Sequence, residues 1–146
     1  MTSFLFQTKV FFSARKTEVE EMYDGFDGLI NYDTIDENHG NGLQYDGKFI
    51  APESGTYGFT FSAMTGLLDM TATEKSMTRV EVFKDGNFHH YIFDGNSAGI
   101  WNNINNSWMM KLAKGQVVHL EVDMGKLNAG AYHPVIFTGN LIMLDE

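Results

Sequence analysis

The segment GIWNNINNSW, residues 99–108, gathers the side chains best suited to chemistry: Trp101 with Asn102, Asn103, Asn105 and Asn106. An aromatic face can stack on the C–H face of a sugar, while neighbouring amides donate to and accept from its hydroxyls. These five residues form the candidate ligand-binding group. A polar surface loop around a buried Trp is the plainer reading of the same stretch. Asn105-Asn106-Ser107 is also an N-glycosylation sequon, meaningful in a secreted chain, and a glycan there would crowd the group.

Catalytic chemistry finds little support. The five histidines are His39, His89, His90, His119 and His133, and none has the i, i+4 spacing of a zinc helix. His89 and His90 are neighbours in an expected strand and should face opposite ways. His119 alternates with apolar residues and should be exposed or at an interface. GNGLQY (40–45) starts like a dinucleotide fingerprint but ends on Tyr45, outside any βαβ unit. DTIDENHG (33–40) is acidic without EF-hand spacing, and its twelfth position is Gln44. No nucleophile turn is present. The chain reads as a non-enzyme.

The elements that must carry these residues alternate with period two, which is the strand period. Tyr57, Phe59 and Phe61 fall on one face of GTYGFTFSA, with Gly58, Thr60 and Ser62 on the other. One face fills a core. The other allows a second sheet or a neighbouring subunit to come close. Strands are also expected at 8–14, at 78–84 with Val80 and Val82 inward, and at 88–93. Two more fall at 117–123, with Val118, Leu120 and Val122 inward, and at 134–144, where Val135, Phe137, Gly139, Leu141 and Met143 share a face. Asp85-Gly86 signals a tight hairpin. Residues 23–42 and 94–107 read as turn-rich connections, and 17–25 is weakly compatible with a helix. Short strands spread along the whole chain predict a single all-β antiparallel domain over 1–146.

Composition narrows the partners. Of 146 residues, 10 are Lys or Arg and 19 are Asp or Glu, for a net charge of −9. That argues against a nucleic-acid backbone as partner. No apolar run is long enough to insert across a bilayer. There is no cysteine, so disulfides and thiol chemistry are excluded. MTSFLFQTKVFF lacks a basic segment ahead of an apolar one, so it is not a standard secretory signal. The sequence then reads as a cytosolic protein or as a domain excised from a longer chain.

Phe49, then Gly55, Tyr57, Phe59 and Phe61 at their observed spacing, resemble the signature of the globular head of complement C1q, in the C1q/TNF superfamily. VFFSARKT (10–17) is similar to the family's first strand and INYD (30–33) to its early Asn segment. VEVFKDGN (80–87) resembles its Lys-Asn-Gly hairpin, WMMKLAKGQVVHLEV (108–122) its strand entry of Leu, a small residue, Gly-Asp/Gln and Val, and FTGNLI (137–142) its closing segment. The pattern departs at Gly42, where an aromatic or Leu is usual and a one-residue deletion is read in LQYDGKF. It departs again at Asn140 and in the missing cysteines.

The resemblance implies a ten-stranded antiparallel jelly roll that assembles as a homotrimer, with Phe49, Tyr57, Phe59, Phe61 and Phe137 as core or trimer aromatics. It implies a secreted, extracellular, non-enzymatic recognition module for carbohydrate, microbial-surface or protein ligands, innate-immune or lectin-like. The alternative is a structural trimerisation head, or a hormone or synaptic-organiser signalling domain of a longer protein. No cofactor is required. Some relatives bind calcium at the trimer apex, where Asp94 and Asn102 would be the matching positions, with Gly95 and Asn102 replacing carboxylates.

Overall fold

The computed structural model describes residues 9–18, 20–23, 29–65, 78–94 and 102–146. Within these, every regular element is a strand: β1 (Phe11–Lys16), β2 (Glu20–Tyr23), β3 (Thr34–His39), β4 (Phe49–Ile50), β5 (Gly55–Thr65), β6 (Thr78–Lys84), β7 (Asn87–Asp94), β8 (Asn102–Leu112), β9 (Val117–Met124), β10 (Lys126–Ala129) and β11 (Val135–Leu144). All pairings are antiparallel. Sheet A runs β2-β10-β5-β11-β1-β3 with β8 also on β5, and sheet B runs β4-β9-β6-β7. The chain crosses between sheets repeatedly, which makes a jelly roll. The eleven strands include the two-residue β4.

The centre is β5. Along one edge it pairs with β8 over its whole length, Gly55↔Leu112 to Thr65↔Asn102. Along the other it meets β11 from Gly55 to Ser62, then β10 at Met64 and Thr65. Tyr57, Phe59 and Phe61 are buried, as are Phe49 and Phe137, so the four signature aromatics and Phe137 lie in the core of a single chain. Phe59 has ring centroids of Phe12, Phe49, Tyr57, Phe137 and Trp108 within 6.3 Å. Stacked and edge-on rings at such distances add to the burial of their area. Gly139 makes this packing possible. A Cβ there would lie 2.3 Å from Phe12 Cε1 and 2.8 Å from Phe59 Cδ1. Gly42 has a similar reason: a Cβ would meet Phe49 Cε1 at 2.4 Å.

Alternation holds in sheet B, where Val80, Val82, Val118 and Leu120 are buried. The hairpin turn has φ of 53° at Asp85 and 81° at Gly86, the positive pair that a type I′ turn demands.

Several expectations are corrected. Glu20–Tyr23, inside the stretch compatible with a helix, is strand β2, because β10 supplies backbone partners from Lys126 to Ala129. The turn-rich 23–42 contains β3, and 94–107 gives way to β8 at Asn102. Both are edge or near-edge strands whose ladder partners outweigh the poor strand preference of Asn and Asp. His89 and His90 do not face apart. Val82 pairs with His90 and Phe83 with Phe88, so His89 is the extra residue of a bulge, and the ring nitrogens come to 2.7 Å. A second shift, between Leu141 and Met143, turns Met143 outward. His119 is only 8% exposed, because its ring stacks on Phe83 at 4.7 Å.

Truncating the central ring, Phe59→Ala, should lower unfolding free energy by about 3–5 kcal/mol. Tyr132→Ala, at a fully exposed position, should stay within about 0.5 kcal/mol. Urea titration of both variants checks the pair.

Candidate functional site

The ends of β7 and β8 meet at one end of the roll. The Asn102 side-chain amide donates to both oxygens of Asp94, at 3.2 and 3.3 Å. Buried Thr65 places its hydroxyl 3.3 Å from Asp94 Oδ2 and 3.2 Å from the Asn102 carbonyl. The structure therefore brings together the two residues matched to the family's calcium position and adds Thr65, which sequence reasoning missed. Trp101 and Gly95 lie outside the described residues.

The asparagines separate along β8. Ile104 points into the core, Asn103 and Asn105 are exposed on the outer side of sheet A, and Asn106 is half-buried on the inner side. They do not make one cluster, because alternation on a strand divides a run that a loop could gather.

Calcium takes six to eight oxygens, rich in carboxylate. Here one carboxylate per chain is turned onto an amide N–H. No group of three His, Asp or Glu among the described residues could hold a metal. Among the described residues, the donors that one chain offers at this end do not fit such an ion.

The outer face of sheet A is different in kind. Gly58, Thr60 and Ser62 of β5 sit beside Met109, Ser107 and Asn105 of β8, which are their partners in register. Thr60 and Thr138 hydrogen-bond across β5 and β11. Around this small-residue floor, Phe11, Met109 (69% exposed) and Ile142 show apolar surface to solvent. A shallow depression of about 330 Å³ lies over Gly58, Thr60, Met109 and Asn140.

The outer face of sheet B carries charge. Glu81 is directly opposite Glu121 in the β6–β9 register and opposite Tyr91 in β7. Arg79 ion-pairs with Asp123 and places its guanidinium 4.1 Å from the Tyr91 ring centre. His119 Nε2 is 2.8 Å from Glu121. Burial, a hydrogen bond with Asp123 and the charges of Asp123 and Glu121 push the Glu81 carboxyl up to about 7, with Arg79 opposing. The outward position of Glu81 was legible in VEV; its like-charged partner required the register.

A third feature is a cavity of about 410 Å³ where residues 40–48 fold back against β3. Asp33 at its edge accepts four hydrogen bonds, from the Thr17 and Glu18 amides and the Thr17 and Thr34 hydroxyls. Burial pushes its carboxyl up, but these bonds outweigh it and hold the group well below the usual carboxylate range. No sequence motif marks this cavity.

Comparisons agree on the architecture. A family model for the C1q domain matches residues 10–142. No curated protein matches the chain in sequence. Among solved structures, the globular domain of zebrafish complement 1qA protein superposes with a TM-score of 0.71 at 18% identity, covering 94% of this chain and 99% of that one. Eiger TNF from S. frugiperda gives 0.67 at 7% identity, covering 94% of each. Murine APRIL gives 0.65 at 10% identity, covering 91% and 99%. At these identities the structural likeness shows the fold.

Because the folded chain holds the Glu81 proton more tightly than the unfolded chain, this contribution to stability is full below the ordinary glutamate value. It is lost as pH rises through about 7. Glu81→Gln should match the parent at pH about 5 and melt about 2–4 °C higher at pH about 8, the shift that ~1 kcal/mol gives in a domain of this size after allowance for partial solvation. Melting curves across that range check the sign.

Proposed function

The chain belongs to the C1q domain family, and on that premise we propose that it is a secreted homotrimeric recognition head. Its ligands are extracellular: carbohydrate, microbial surface or protein, in an innate-immune or lectin-like role. The family consists of non-enzymatic ligand-binding modules. No helix of the described residues is long and apolar enough to cross a membrane.

The observation that carries this reading is the outer face of sheet A. A β5 with bulk on both faces would serve a buried central layer. Here the bulk faces inward, and small residues beside exposed Met109, Phe11 and Ile142 face outward. Such a floor admits close approach of another chain. Sheet B's edge strand β7 exposes Phe88, Tyr91 and Phe93, a second and different apolar surface. Two unlike patches on one chain suit head-to-tail contacts, which close as a ring when the rotation between copies closes. The family resemblance sets the ring at three. Three copies of a weak ligand site then act together through avidity.

Asn105 shares this outer face with Thr60 and Met109. A glycan on its sequon would obstruct the contact, so the assembled head keeps Asn105 unmodified. Ligand contacts at the β7–β8 end fall to Asn102 and Asn103, with Asp94 holding Asn102 in place. Recognition at this end needs no calcium, since the carboxylates are too few.

Sedimentation velocity should give a mass of three chains. Thr60→Arg, which places a long cation on the exposed small-residue floor, should reduce it to one chain with an unchanged circular dichroism spectrum. A parent chain that sediments as a monomer would refute the assembly. Adding millimolar calcium, against a chelator control, should move the melting temperature by less than about 1 °C. A rise of several degrees would show that the Asp94 end gathers a cation after all.

A further inference from the structure

The cavity beside β3 lies at the opposite edge of sheet A from β8, remote in the strand order from the Asp94–Asn102 end. Its shape begins with a bulge. Ser13 pairs with Glu37 and Ala14 with Ile35, leaving Asp36 as the extra residue. Ile35 and Asn38, three apart, consequently share the face of β3 that also receives Phe12 and Ala14. Ile35 and buried Leu43 supply apolar wall.

The connection over the cavity is held in one conformation. The Asn38 side chain bonds the Leu43 backbone in both directions, at 3.0 and 3.1 Å. Gln44 donates its amide hydrogens to the Asn41 and Gly42 carbonyls. Gly47 is left-handed at φ +98°, and a Cβ there would strike the Ile30 carbonyl at 2.1 Å, so the turn can only close with glycine. On this rigid turn Tyr45 stands 91% exposed. It contributes nothing to the core.

The lining chemistry selects a ligand class. None of the lining side chains is cationic, so an anion finds no opposite charge. Asp33 already accepts four hydrogen bonds, so a cation finds no free carboxylate. The capacity left is neutral: the buried Tyr32 hydroxyl, the Asn41 amide and the Gln44 Oε1, which have no hydrogen-bond partner among the described residues, and the Tyr45 ring. The volume, about 410 Å³, falls in the range of small-molecule sites.

We propose that this cavity is a saccharide subsite, with Tyr45 stacking on a neutral sugar ring and Asn41 and Gln44 pairing with its hydroxyls. The proposal deepens the recognition reading above and locates a ligand away from the β7–β8 end. One ring on one tyrosine gives weak binding per chain, and three chains compensate by avidity.

The test is an amide NMR titration of the whole chain with glucose, mannose, galactose, fucose and N-acetylglucosamine, and with N-acetylneuraminic acid as the anionic comparator. At least one neutral sugar should shift Asn38 and residues 41–45 with millimolar affinity, and the anion should bind more weakly. Tyr45→Ala should weaken that sugar about tenfold with an unchanged melting temperature. Asn41→Gly, which keeps the positive φ of 57° accessible, should weaken it as well. Shifts confined to residues 102–106 would overturn the subsite while leaving the recognition reading intact. No shift with any neutral sugar, or equal binding by Tyr45→Ala, would also overturn it, whereas the trimer stands or falls separately by sedimentation.

Discussion

The packing of Phe12 and Phe59 over the bare Cα of Gly139 is the contact on which the remaining structure depends. It fixes β1, β11 and β5 at one height, since a one-residue slip would turn every ring of β5 to solvent. With β5 fixed, β8 follows through an uninterrupted register, and the outer face of sheet A acquires its floor of Gly58, Thr60 and Ser62. The inner rings and the outer small residues are two consequences of one alternation. Stability is thus written on one face of the strand, and the proposed assembly on the other.

That division bears on the proposed recognition surfaces. With the outer face of sheet A proposed as the contact between chains, ligands are left to the rims of the roll. At one rim, Asp94, Thr65 and Asn102 tie β7 to β8. At the other, the bulge at Asp36 and the locked turn at Gly47 shape a cavity beneath Tyr45. Sheet B contributes something else: Glu81 is held opposite Glu121 by the ladder, and Arg79 neutralises only part of the charge. Strand registers set by the core thereby impose an electrostatic cost at the surface.

What the sequence disclosed was what period two can encode. Tyr57, Phe59 and Phe61, Val80 and Val82, and the Asp85-Gly86 turn are local patterns with local causes, and each is where it was expected. β2, β3 and the first half of β8 were not legible, because Glu20, Asn38 or Asn103 is a poor strand residue that only a distant ladder partner can recruit. The bulges at His89 and Asp36 were equally hidden, since a bulge is a mismatch between two strands and has no single-strand signature. For the candidate site, Asp94 and Asn102 were foreseen through the family likeness and do meet. The grouping of Asn103, Asn105 and Asn106 fails because a strand separates neighbours that a loop would join.

The most direct test of β5 as the organising strand is residue-resolved hydrogen exchange. Its amides are covered by β8 on one edge and by β11 and β10 on the other, so those of Tyr57, Phe59 and Phe61 should exchange only through global unfolding. They should be protected well beyond the amides of Tyr91 and Phe93 on edge strand β7. Exchange of the β5 amides as fast as those of β7 would contradict the account.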